Sequence, residues 1–193
     1  YCGAAEDLAI ANESCEAMGI PLQTVNFSHE YWERVFTIFL EEYRKGRTPN
    51  PDVLCNREIK FREFLDFSTE LGAELIATGH YARIDHSNGR TTIRKATDPN
   101  KDQSYVLWAV SPEELKRTLF PLGDMNKQEV RKIASDAGLV TADISDSQEL
   151  CFVPDNDYRK LLHSSNGNGS EKGIFKNQEG DELGEHKGIT YYT

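Results

Sequence analysis

Two prolines one residue apart, in Thr48-Pro49-Asn50-Pro51, restrict this chain more than any other stretch. Each proline fixes its own φ and drives the residue before it out of the helical region, so residues 48–51 must form a stiff, extended connection. The continuation to Phe61, Asp-Val-Leu-Cys-Asn-Arg-Glu-Ile-Lys-Phe, turns helical, and Asp52 is placed to cap it by accepting from the free N–H groups of the first turn. Cys55 would then fall in that first turn, where the positive end of the helix dipole favours a thiolate. Position alone leaves two readings of Cys55 open, a reactive thiol or a small buried side chain. The surroundings favour the first. From Arg44 to Arg62 there are six basic residues (Arg44, Lys45, Arg47, Arg57, Lys60 and Arg62) against two acids, Asp52 and Glu58, although the chain as a whole carries a net charge of −10. A local cationic field lowers a thiol pKa and attracts phosphate.

Hydrophobic spacing organises the rest. Leu8, Ala11, Cys15 and Met18 recur at helical steps between Glu6 and Met18, with Gly19 as the stop. Residues 22–27 read as a short strand. Residues 29–45 form a second helix through Trp32, Val35, Phe36, Phe39, Leu40 and Tyr43. A third helix is predicted over 55–71 and ends at Gly72, and residues 74–78 (ELIAT) are short, apolar and bounded like a buried parallel strand. This alternation predicts an α/β fold, a parallel sheet flanked by helices. Directly after the last strand, Gly79 allows a ligand to approach the backbone, and His80 is positioned to touch it; a lone histidine there is more often structural. Residues 81–84 and 91–96 pair as a hairpin around Asn88-Gly89. Lys101-Asp102-Gln103 sits in a polar loop and, taken alone, is a solvated surface.

From Ser111 the texture changes. Ser111-Pro112-Glu113-Glu114 is a strong helix start, Asn126 begins another helix that closes at Gly138, and residues 157–163 suggest a third. Helices without intervening strands point to a small helical module. Cys151 lies in an irregular loop, DSQELCFVP, and SSNGNGSEK (164–172) is a linker by composition. Beyond it, residues 173–193 give two strands around Glu179-Gly180 and a GEHKG turn, the start of a β-rich domain. The expected division is a partial α/β domain over 1–110, a helical module over 111–163, and a linker with first strands over 164–193.

The acidic total argues against a protein that coats nucleic acid non-specifically, but not against one that grips RNA through a restricted basic surface. No stretch has the length of a membrane span. The four cysteines, Cys2, Cys15, Cys55 and Cys151, lack C-x-x-C spacing, so no metal site is expected, and with no secretion signal a reducing, cytoplasmic setting is the better default. The chain opens on Tyr1 rather than Met and stops within what reads as a strand, so a piece of a longer protein is expected.

GRTPNPDVLCNREIKF, ATGHYARI, NKDQSYVLW, DSQELCF and LGEHKGITYYT occur here in this order. Together they resemble the tRNA-specific 2-thiouridylase family, which replaces the 2-oxygen of a wobble uridine by sulfur, and the resemblance runs from about Cys2 to the last residue. It implies a PP-loop ATPase-like domain, a helical tRNA-binding module and a C-terminal β-barrel. It also implies ATP, with Mg, to adenylate the oxygen, and a sulfur-relay donor protein that delivers a persulfide. Matched position by position, Cys151 carries the persulfide. Cys55 either attacks it to release sulfide or resolves the transfer adduct, leaving a Cys55–Cys151 disulfide. Asp52 matches an acid beside the target base that acts as general acid or base. Asn50, Pro51 and Asp52 lie against the flipped-out base, Gly79 against ATP, His80 near the tRNA, and Lys101, Asp102 and Gln103 on the RNA. The family's S-G-G-x-D-S phosphate loop is not in this sequence, so these residues in isolation are expected to be inactive. Two other readings use the same residues: a non-catalytic RNA-binding module, and a thiol switch between Cys55 and Cys151 that leaves the NPD turn and the KDQ loop unexplained.

Overall fold

Asparagine, not aspartate, starts the helix after the two prolines. In the computed structural model, which describes residues 4–144, 160, 171–188, 191 and 192, Asn50 adopts an extended backbone at φ −108°, and its Oδ1 accepts from the N–H of Asp52 at 3.0 Å and of Val53 at 3.2 Å. Pro51 fills the first helical position, where a missing N–H has no consequence. The capping role expected of Asp52 therefore belongs to Asn50, one residue before Pro51. An amide oxygen at that point reaches the two free N–H groups that a carboxylate two residues later has already passed.

Helix α1 spans Ala4–Met18. Helix α2 runs through Ser28–Tyr31, Trp32–Phe36 and Thr37–Arg44 without a break, and α3 through Pro51–Leu54, Cys55–Glu63 and Phe64–Glu70. The middle stretch of each is widened to π geometry: the Phe64 N–H donates to Ile59 O, five residues back, and Thr37 N–H to Trp32 O. In α3 the widening shows in burial. Pro51, Asn56 and Phe61 are buried at five-residue steps, and so are Val53 and Glu58. The inward face thus includes Asn56 and Glu58, which an apolar pattern of 3.6-residue period cannot reveal. The helix closes in a Schellman motif, Gly72 N–H to Thr69 O and Ala73 N–H to Ser68 O, both 2.9 Å, with Gly72 at φ 91°.

The parallel sheet is small. Strand β1, Ile76–Ala77, pairs in parallel with β4, Thr118–Leu119. Residues 22–27 are not a strand; none of the described strands lies alongside to complete their ladder. Strands β2 (Ala82–Asp85) and β3 (Thr92–Lys95) form the expected antiparallel hairpin. Asn88 (φ 54°) and Gly89 (φ 68°) are both left-handed between Ser87 and Arg90, whose N–H donates to Ser87 O at 3.0 Å.

Helix α4 (Pro112–Lys116) has a full capping box between Ser111 and Glu114, and α5 (Lys127–Asp136) has one between Asn126 and Glu129. The expectation of helices without an intervening strand is corrected here. Strand β4 follows α4 directly, Arg117 donates to the carbonyls of Ala73 and Glu74, and Leu115 joins the main core. A parallel strand needs a crossover, and the segment through α4 completes one. The helix expected over 157–163 lies outside the described residues, apart from Lys160. Strands β5 (Gly173–Lys176) and β6 (Glu182–His186) pair antiparallel around a turn in which Gly180 has φ 94°. The GEHKG sequence is therefore mostly strand rather than turn.

Val53, Phe61 and Leu65 of α3, Ile76 of β1, Ala82 of β2, Val106, Leu107 and Val110 of the following turn, and Leu115 of α4 make one buried cluster. Phe61 and Leu107 are completely buried. Among the described residues, this core draws together the start of α3, the strand end before Gly79 and the turn that follows residues 101–103.

Candidate functional site

The α3 start, the end of β1 and the 101–103 loop are far apart in sequence and are joined by specific bonds. Gln103 N–H donates to Tyr81 O at 2.8 Å, and Tyr81 N–H donates to the Gln103 side-chain oxygen at 3.0 Å. Asn56, adjacent to Cys55, reaches Val106 O with its amide at 3.5 Å. From the same helix, Phe61 packs its ring against His80, centroids 5.7 Å apart.

Cys55 is half-buried and is the fifth residue of α3, counting from Pro51. That places it two residues farther from the helix start than expected, and the influence of the dipole is concentrated in the first turn. The cationic field around it is also more structured than the charge count implies. Glu58, almost buried, binds Arg57 at 2.6 Å and Arg62 at 3.0 Å, and Glu42 binds Arg47 at 2.8 Å and Lys45 at 3.0 Å. Burial pushes the Glu58 carboxyl up, but Arg57 and Arg62 outweigh it and hold it below the usual carboxylate range. Each carboxylate carries two cations, so each cluster keeps a net positive charge. Asp52 is exposed beside this field.

His80 is buried against Phe61 and Phe120, and its Nδ1 shares a 2.7 Å hydrogen bond with Thr78 Oγ1. Burial, assisted by the charge of Lys60, pushes its pKa down to about 4, so the ring is neutral near pH 7. Asp102 is turned inward: its carboxylate accepts from Ala96 N–H at 2.8 Å and from the Ser104 hydroxyl at 2.9 Å. Burial acts to raise its pKa, and these bonds prevail and keep it low. Gln103 likewise spends its side-chain oxygen on Tyr81. Both residues shape the loop from which they were expected to contact RNA; Lys101 is half-buried.

Gly79 is exposed beyond the carboxyl end of β1, and a Cβ built there would meet only Leu122 Cδ1, at 3.9 Å. Its face is open to a ligand, which fits one nucleotide contact. Among the described residues no glycine-rich loop cradles phosphates, so the chain's fit to ATP stops at that contact. A cleft of about 530 Å³ between β2 and β4 contains none of the expected site residues. Cys151 lies outside the described residues, as does Cys2; Cys15 is half-buried in α1. Among the described residues no cluster of His, Cys, Asp or Glu is arranged to hold a metal, and no helix is long and apolar enough to cross a membrane. The π-widened stretch at Cys55 and the Glu58 ion-pair hub are the parts of the site that sequence reasoning missed.

Comparison with known proteins agrees with these motifs. Residues 1–155 match the family model described as the tRNA methyl transferase HUP domain. Over the whole chain the sequence is 52% identical to a protein of Pseudomonas savastanoi pv. phaseolicola, 50% to one of Salmonella paratyphi B and 48% to one of Idiomarina loihiensis, each named tRNA-specific 2-thiouridylase MnmA. The match covers 51% of the first of these relatives and 52% of the other two, so the chain spans about half the length of the curated relatives it matches.

Proposed function

The chain belongs to the tRNA methyl transferase HUP domain family, and from that premise we propose that the intact protein is a tRNA 2-thiouridylase. The observation that carries this reading is the convergence of residues 50–55, 79–81 and 101–103 on one core, an arrangement that a simple two-cysteine switch does not require. The names of the full-length relatives support it.

In this reading ATP, when bound, supplies the adenylation that turns the 2-oxygen of the uridine into a leaving group. Asn50 and Pro51 hold the entry to α3 rigid, and exposed Asp52 meets the extruded base as a proton donor or acceptor. Cys151 brings sulfur as a persulfide from a relay protein. The thiolate of Cys55 then either displaces hydrosulfide from that persulfide, and the hydrosulfide attacks carbon 2 as AMP departs, or it acts later. In that second branch the outer persulfide sulfur itself attacks carbon 2 as AMP departs, and Cys55 then attacks the Cys151 sulfur of that adduct, freeing the thiolated uridine. Both branches end in a Cys55–Cys151 disulfide, which a thiol reductant must reopen before the next turnover. Lys101, Asp102 and Gln103 present the loop to the RNA, and neutral His80 supports the strand end next to Gly79. The helices after Ser111 extend the RNA contact, and residues 173–193 begin a β-rich domain.

Replacing Cys55 by Ser in the intact protein tests this directly. Thiolated uridine in tRNA digests, measured by mass spectrometry, is expected to vanish while tRNA binding changes by less than about twofold. Undiminished thiolation by the variant removes Cys55 from the chemistry. A methylated product in place of a thiolated one refutes the proposed reaction.

A further inference from the structure

The turn after Gln103 is pinned from inside and decorated outside. Val106 and Leu107 are buried in the core, whereas Tyr105 and Trp108 are left 65% and 74% exposed. A rigid loop that holds two large rings in water signals a recognition surface rather than chance exposure. Both rings line a groove of about 310 Å³ whose other wall includes Asn50, Leu54 and Arg57.

Charge identifies the class of occupant. The Glu42 cluster with Lys45 and Arg47 and the Glu58 cluster with Arg57 and Arg62 each retain one net positive charge, and Glu42 and Arg57 themselves line the groove. Flat aromatic faces bordered by cations match single-stranded nucleic acid, in which bases stack and phosphates follow the positive charge. Asn50, which lines the groove, also immediately precedes the expected base-contacting residues Pro51 and Asp52. We propose that Tyr105 and Trp108 form a stacking platform for an unpaired nucleobase next to the target uridine, with its phosphates turned toward Arg47 and Arg57. This rests on the reading of the protein as a tRNA-thiolating enzyme and adds a second base site to it.

The test uses the intact protein and an anticodon stem-loop RNA. Trp108→Ala is expected to raise the Kd about 5- to 150-fold, the range of one base–aromatic stack, with Trp108→Phe restoring most of the affinity. Trp32→Ala, at an exposed ring outside the groove, is expected to leave the Kd unchanged. Removing the base of one loop nucleotide beside the uridine should weaken binding to the unaltered protein and make no further difference to Trp108→Ala. If the unaltered protein neither binds nor thiolates the RNA, the parent reading fails. If it does both and Trp108→Ala binds equally well, only the platform is overturned. It is overturned too if Trp108→Ala leaves RNA affinity unchanged but alters self-association in sedimentation, which would assign the groove to a protein surface.

Discussion

Acid should unfold this protein partly through one imidazole. His80 is enclosed by Phe61 and Phe120 and bonded to Thr78, and its pKa lies at about 4 rather than 6.5. Above pH 6.5 the ring is neutral in both folded and unfolded chains and adds no pH dependence. Between 6.5 and 4 the unfolded chain binds a proton that the folded chain refuses, so stability falls as pH falls. The gap of about 2.5 pH units corresponds to about 3 kcal/mol once pH is below 4. By pH 5 about 2 kcal/mol of it is already lost. The assay is urea unfolding at pH 7, 6 and 5 for the natural protein and for His80→Asn, which keeps a polar atom near Thr78 Oγ1 but cannot titrate. Carboxylates and the other histidines contribute to both proteins and cancel in the comparison. The natural protein should lose about 2 kcal/mol more than the variant between pH 7 and pH 5. An NMR titration of the His80 ring should give a midpoint near 4. Equal pH slopes in the two proteins, or a midpoint above 6, would refute the claim that burial governs this ring.

Two further outcomes concern the scaffold. Asn50→Ala removes both capping bonds at the start of α3 and should destabilise by about 1–2 kcal/mol in thermal or urea unfolding, whereas Asn50→Asp should retain most of the stability. Gly123→Ala should cost about 3 kcal/mol, the upper end of overpacking, since the new Cβ would lie 2.0 Å from the backbone oxygen of Ala82; an unchanged melting temperature would show that the chain can move aside there.

The helix starts at Ser111 and Asn126, the left-handed Asn88-Gly89 pair and the stop at Gly72 were all legible in the sequence. Each depends on bonds between residues at most five apart, so the residues needed to read it stand together in the chain. The placement of Asn50, Cys55, His80 and Gln103 around one core was not legible in that way. Motif order suggested that they share a task, but only the packing of Phe61 against His80 and the exchange of bonds between Gln103 and Tyr81 shows how they meet. Tertiary structure alone also decided that residues 22–27 are not a strand, that β4 pairs with β1, and that α3 widens after Leu54 to bury Asn56 and Glu58. Strand pairing and burial arise between segments tens of residues apart, where neither local propensity nor hydrophobic period reaches.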